Sequence, residues 1–441
     1  MKFIKEKSFL LRVSISKEIL STSIPLIFNV LSHPLYAMAL LSIILANFPK
    51  ENSNFILGAA IINVFIKFCE SLLSGTRVLT STNRNQDHIQ KNILSNSITM
   101  GFLLSFILIT ISILFFLITI SFDTCDHYKN LSKIILFISL GVPGNFLYSS
   151  SIYYLHAHKQ TRNLPTLSWT INSLSIITLM LLLKVFSLSF YQTLLVISLT
   201  RLVLGVCSFF IIPSSLKYDI KVIFRSSKFL EYISIARLGI SHAIHNLLFM
   251  GAYLLFTILL EMRDASSLAI FQIQINLLNI MSVVNMSIIS SGCINFSQIN
   301  NNSLGAKRIS FEQNLFINFI VITIMLSSIF VFQKNILLFM SKGKADFDLF
   351  NKTFFLFCGI YIIDQIQSIF IQTMTYSNDY LVPPMIRIIY FCVVSIPSAL
   401  LIQYTHMLHL EGILLSILTG SISSLFIILI RFRSRYHMKE I

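Results

Sequence analysis

An aspartate stands in the middle of a long apolar run. The stretch FFLFCGIYIIDQIQSIFIQTMTYSND covers residues 354–379, with Asp364 near its centre. A run of this length suits one membrane-spanning helix. An ionised carboxylate at bilayer depth costs roughly 2.5 kcal/mol or more, so it should face protein or water rather than lipid. At about 100° per residue, Tyr361, Asp364, Gln365, Ser368, Gln372 and Thr375 share one polar stripe, opposite Phe, Ile, Met and Cys. Such a carboxylate can take up and release a proton or a cation in a cavity. The competing reading is a structural pair with Arg201 or Lys67.

Other polar groups at membrane depth are the candidates to share that cavity. In the second apolar segment Asn63, Lys67, Glu70 and Ser74 fall on one face, and Lys67 and Glu70 are three residues apart. They make either a neutralised structural ion pair or a site where Glu70 takes a proton or cationic substrate and Lys67 tunes it. Gln272, Asn276, Asn279, Ser287 and Ser290 share a face of the eighth segment. Amide side chains there either join helices by hydrogen bonds or supply oxygens to a sodium ion. The seventh segment offers His242, His245 and Asn246, and a histidine near an acid can relay protons. Arg201 sits midway along the sixth segment with no acid within a turn, fit for an anionic substrate or a pair on another helix. Gln367 closes the segment IIDQIQ and joins the cavity set.

The chain that must position these residues is 55% hydrophobic and 12% charged, with mean hydropathy +0.78. Soluble domains carry about 25% charged residues. The expected fold is therefore an all-α polytopic membrane protein, with helices rather than barrel strands because the apolar runs reach about 20 residues. Twelve transmembrane helices are expected at about 17–46, 55–79, 92–120, 131–157, 165–184, 190–213, 234–260, 267–297, 310–333, 350–376, 383–404 and 410–431. Numbered from inside, about two thirds of the 33 Lys and Arg lie at inside ends, which predicts cytoplasmic N- and C-termini. That distribution, rather than nucleic acid, accounts for the net charge of +15. No cleavable signal peptide is expected, since the first apolar run leads into a full span.

The two halves look alike. Pro25 corresponds to Ser241, Gly75 to Gly292 and Pro165 to Pro383, an offset of about 217 residues. Six spans per half make the repeats parallel, giving two six-helix pseudo-symmetric bundles facing a central cavity. The expected division is 1–213 for the N-terminal lobe, 214–233 for a cytoplasmic linker and 234–441 for the C-terminal lobe with its basic tail. Six cysteines are scattered singly, so neither a disulfide framework nor a metal site is expected. There is no GxxxxGK[ST] loop and no nucleophile constellation, which argues against an ATP-driven pump and an enzyme.

Laid out together, these residues resemble the MATE family of multidrug and toxic compound extrusion transporters, most closely the bacterial NorM-type branch. The segment EILSTSIPLIFNVLSHP with Pro25 is similar to the family's opening. IIDQIQ at 362–367, with Asp379 fifteen residues after Asp364, is similar to the acid-x-Ile-Gln segment of the tenth span. Gln272, Asn276 and Met286-Ser287-Ile288 stand where the family has Gln, Asn and Met-Ser-Ile. The resemblance implies a V-shaped, two-lobed antiporter of the bacterial inner membrane that exchanges protons or sodium for drug-like molecules by alternating access. It implies an ion site at Asp364 with Tyr361, Gln272 and Asn276 nearby. Joined with the residue reading above, the ion-coupling candidates are Asp364, Tyr361, Gln272, Asn276 and His245, and the substrate-cavity candidates are Glu70, Lys67, Asn63, Arg201, Gln367 and Asn246. No cofactor is expected beyond a coupling ion, Na+ or H+, with sodium a candidate at Asp364. Expected partners are the lipid bilayer and a small-molecule substrate, without nucleic acid, around a monomer. The chain departs from the family at Leu40 and near Phe249, where carboxylates are usual. The alternatives are a flippase of a lipid-linked anionic substrate and a transport-inactive scaffold or receptor.

Overall fold

The structure is a computed structural model that describes residues 2–48, 51–83, 87–122, 126–212, 229–261, 265–299, 303–341, 347–377, 379–404 and 410–436. Among them every regular element is helical. In chain order these are α1 (Lys2–Asn47), α2 (Asn52–Leu73), α3 (Gly75–Thr82), α4 (Asp87–Ser121), α5 (Asp126–Ser139), α6 (Val142–Ala157), α7 (Leu164–Phe186) and α8 (Phe190–Ile211). There follow α9 (Phe229–Glu261), α10 (Ala265–Gln298), α11 (Leu304–Ser341), α12 (Phe347–Tyr376), α13 (Val382–Tyr390), a π-helical turn (Phe391–Ser395), α14 (Ile396–Tyr404) and α15 (Leu410–Tyr436).

Ten helical segments are long and apolar enough to cross a membrane, and the bent pair α5–α6 makes an eleventh. The 33-residue α9 covers the remaining expected segment, 234–260. Each expected span thus falls on helix, and the breaks have local causes. α5 and α6 meet at 40° around Leu140-Gly141, just before Pro143, whose ring nitrogen has no proton to give the preceding turn. The π turn precedes Pro397, which likewise removes a backbone donor inside a helix. Large apolar side chains stand outward in rows: Phe106 is 71% exposed and Phe122 77%, with Leu103, Leu114 and Leu117 alongside on α4. Such rows are stable against acyl chains, where no water must be displaced.

The chain divides into two compact units, Pro25–Leu247 and Met1–Ile24 with Leu248–Ile441. They are called the N unit and the C unit. Neither division falls in a loop. The change along α1 comes at Pro25, one of two prolines inside that helix, and the other comes within α9. The expected linker 214–233 lies largely outside the described residues.

In the N unit the most extensive packing is between α6 and α8. Gly144 and Gly205 permit it: a Cβ on Gly144 would lie 2.2 Å from the Arg201 carbonyl oxygen, and one on Gly205 would lie 2.3 Å from the Gly144 oxygen. Small residues at such crossings let backbones touch, and close packing is what drives helix association where lipid is as apolar as protein. α9 enters this unit through Gly239, whose Cβ would sit 1.9 Å from the Leu72 oxygen, and through Ile235 and Ala243 in the core. In the C unit, α12 packs mainly on α15 and α10 on α11 and α12. α10 and α12 are the most enclosed segments. Around them lie Phe256, Phe271, Phe350, Phe354 and Phe357. α1 joins this unit through Arg12 on Glu312, 2.8 Å, and Ser16 on Gln313, 2.8 Å.

Candidate functional site: polar clusters at membrane depth

Asp364 lies halfway along α12, with its side chain 8% exposed. The helix begins with Asp348 in its first turn, where a carboxylate suits the helix dipole. Several of its hydroxyls bond back to the carbonyl one turn earlier: Ser368 to Asp364, Thr373 to Ile369, Thr375 to Ile371. These residues therefore satisfy themselves, and what remains polar is the carboxylate and the amides. Gln365 donates to Asp364 Oδ2 at 3.0 Å and to Ser282 Oγ at 3.3 Å.

The cation on Asp364 is Arg387 of α13, whose guanidinium donates to Oδ1. α13 is a two-turn helix with prolines at its first positions, followed at once by the π turn. Gly420 of α15 lets the π turn come close, since a Cβ there would meet Ser395 Oγ at 1.9 Å. The expected counter-charges were Arg201 and Lys67. Both belong to the N unit, so the pairing partner is corrected to Arg387. The sequence held the signal: Arg387 is the one charged residue in the apolar segment 383–404. An ionisable group there is a site candidate on energetic grounds alone.

The remaining C-unit candidates are dispersed. The Tyr361 hydroxyl, wholly buried, accepts a hydrogen bond from Asn285 of α10. Gln367 donates to Ser424 Oγ at 2.7 Å and to the Ser421 carbonyl, tying α12 to α15. Asn276 and Asn279 are exposed, whereas Ser287 and Ser290 on the same stripe are buried. The stripe thus passes from open to enclosed surroundings along α10 and does not form one site. Ser290 donates to Gln372 Oε1 at 3.3 Å. The side chains of Gln272 and His245 lie outside the described residues. Asp379 makes a bidentate pair with Arg431 of α15, 2.8 and 3.0 Å, which pins the end of α12. An open groove of about 870 Å³ is lined by Arg12, Ser16, Lys17, Glu312, Gln313 and Phe316, none of them an expected site residue.

The N unit holds a second cluster. Lys67 and Glu70 form the expected pair at 2.7 Å, with Lys67 half exposed. Asn63 is exposed on the same helix. Asn246 of α9 donates to Ser71 Oγ at 2.6 Å. Arg201 is placed by α8, which a capping box of Ser189 and Gln192 starts and the Gly144–Gly205 crossing fixes against α6. Its guanidinium lies over the Tyr36 ring, 4.4 Å from the centroid, and 3.4 Å from His33 Nδ1. Arginine only donates, so Nδ1 must accept and Nε2 carries the proton. Nε2 then donates to Tyr148 at 2.9 Å, and the Tyr148 hydroxyl donates to Asn29 Oδ1 at 2.9 Å. Leu40, where the resemblance calls for an acid, is instead packed with Tyr36 and Leu179. His33, Tyr148 and Asn29 were not singled out by sequence. Their types are ordinary in helices, and only their meeting across α1 and α6 marks them.

No family model matches the sequence, and no curated protein matches it. Solved structures do match in fold. A eukaryotic MATE transporter, AtDTX14, superposes with a TM-score of 0.81 at 13% identity, over 97% of this chain and 100% of that one. An outward-facing multidrug resistance MATE family transporter of the MOP superfamily gives 0.82 at 12% identity, over 97% of both chains. A MATE in the straight conformation gives 0.83 at 13% identity, over 98% of both. The fold is that of the MATE transporters. The likeness is one of structure and does not single out the NorM-type branch.

Proposed function

We propose that this chain is a MATE-type exporter of small organic molecules that works by alternating access, with Asp364 as its ion-coupling group. Support comes from full-length agreement with transporters of this fold. The observation that carries the coupling role is the buried pair of Asp364 with Arg387 beside a π turn. Arg387 keeps its charge at every physiological pH, so only the carboxylate can switch. A proton, or a sodium ion competing for the same oxygens, would release the guanidinium. An uncompensated buried charge costs about 3–5 kcal/mol. Reversing a two-state equilibrium from 1:99 to 99:1 takes about 5.5 kcal/mol. Loss of the pair is therefore large enough to bias a conformational change in α13, the π turn and α14. Coupling follows if the two conformations differ in affinity for the ion. On this reading the protein sits in a bacterial inner membrane with both termini cytoplasmic and acts as a monomer.

The test is efflux from inverted membrane vesicles, with a panel of aromatic cations and anions under imposed proton or sodium gradients. Asp364→Asn should reduce gradient-driven transport at least tenfold. If it transports as well as wild type under every gradient, the coupling role is wrong. The pair itself favours one further reading, in which Arg387 neutralises Asp364 permanently and nothing is transported. That reading expects flat transport by wild type across the whole panel, with the pair affecting stability alone.

A further inference from the structure

We infer that the Arg201 cluster of the N unit binds a compact organic anion, a carboxylate or a phosphate. This names the substrate class of the exporter and rests on that reading only in treating the anion as cargo.

The argument begins with charge. Arg201 is in the middle of the 22-residue α8, at bilayer depth. Among the described residues no carboxylate pairs with it. Glu70, the acid of the neighbouring N-unit pair, is already taken by Lys67 at 2.7 Å. Lys67 is answered by Glu70, whereas Arg201 faces only the neutral His33 and the Tyr36 ring, so its positive charge is left without an answering acid among the described residues. A cation at this depth is costly unless something answers it.

Donor accounting says the same. The guanidinium has five N–H donors. The structure gives them one acceptor, His33 Nδ1, at a long 3.4 Å, and the face of Tyr36. Down the chain of hydrogen bonds, Asn29 uses its oxygen on Tyr148, and its Nδ2 has no partner although Asn29 is wholly buried. Each link in this chain points its donor the same way, from Arg201 through His33 and Tyr148. At one end Asn29 Nδ2 is a buried unsatisfied donor, and at the other the guanidinium keeps free donors at a partly buried position. An anion with several acceptor oxygens is the group that answers the guanidinium.

The geometry is rigid enough for a site. The Arg201 backbone cannot withdraw, because its carbonyl lies against Gly144. Tyr36 is held by Ser175 at 2.8 Å and Thr200 at 3.3 Å. Arg201 itself is only partly buried, so its outer face is reachable.

The chain carries its own reporter. Trp169 is its only tryptophan. Its indole N–H donates to the Phe28 carbonyl at 3.0 Å, next to Asn29, and Asn172 lies one turn further along α7. We would titrate the full-length protein in nanodiscs, following Trp169 emission. Cyclohexanecarboxylate and cyclohexyl phosphate serve as soluble anions, dodecyl phosphate as a lipid-like one, and cyclohexyltrimethylammonium as the cation. The expected result is a saturable change with anions alone. Arg201→Gln should weaken it at least tenfold, and Arg201→Lys should retain part of it. Asn29→Asp, which adds a negative charge to the cluster, should also weaken it at least tenfold and guards against a misfolded Arg201 variant. A response to dodecyl phosphate alone identifies a lipid headgroup as the source, and a response to the cyclohexyl anions identifies a soluble one. The inference is overturned if the ammonium compound titrates as well as the anions. It is equally overturned if wild type responds to no anion, or if both variants titrate like wild type. The readout is binding, so inactive vesicles beside a normal titration would sink the exporter and leave the site, and the converse would sink only the site.

Discussion

Asp364 and Arg387 illustrate why a buried ion pair must be judged by what remains when one partner goes. Removing either leaves the other charge enclosed, at a cost of about 3–5 kcal/mol, while removing both is close to neutral. Asp364→Asn and Arg387→Gln should each lower the thermal midpoint in detergent clearly. The double variant should recover most of the loss. Equal and additive losses would mean that the two side chains do not interact in solution. The Asp379–Arg431 pair makes a useful contrast, because it ties the end of α12 to α15 and does not involve Arg387. Asp379→Asn should lower stability while leaving the gradient dependence of transport unchanged, measured per folded molecule. A change in that gradient dependence would give Asp379 a part in coupling.

At the scale of elements, the α6–α8 crossing sets where Arg201 can stand. Gly144→Leu would force side-chain carbons into the Arg201 carbonyl and should abolish the folded, monodisperse protein. Gly251→Ala is the control: open space surrounds that Cβ position on α9, so the change should be neutral or stabilising by about 0.5–1 kcal/mol. A Gly144→Leu protein as stable as the control would show the crossing to be looser than described. The helices themselves were legible in the sequence because apolar runs of spanning length have few alternatives. Their interruptions were partly legible, since Pro143 and Pro397 mark them. Asp364 stood out because an acid in hydrocarbon is costly. Arg387 stands out on the same ground, but its pairing with Asp364 does not, because the meeting of α12 with α13 is a tertiary fact that neither segment's own sequence contains. The amide stripe on α10 failed for a related reason: angular position fixes a face, but enclosure varies along the helix, so Asn276 is open and Ser290 is not.

For the whole molecule, the distribution of Lys and Arg leads to an orientation that can be checked. In a cysteine-free background, a cysteine at Asn163 should react only with reagent on the cytoplasmic side. One at Ser187, which begins the α7–α8 turn with φ 47°, should react only from the opposite side. Reversed labelling would invert the topology and, with it, the direction of export. Full-length agreement with solved transporters at 11–13% identity shows how little of this fold depends on particular side chains. The fold is shared although Leu40, where the resemblance calls for an acid, is packed with Tyr36 and Leu179.

Because α1 changes units at Pro25 and α9 changes within its own length, the genetic halves are not the physical ones. A gene cut between the sixth and seventh spans would yield two polypeptides, each carrying a piece of the other's core and lacking a piece of its own. Expressed alone, either fragment should be cleared by proteases; expressed together, they should rescue one another.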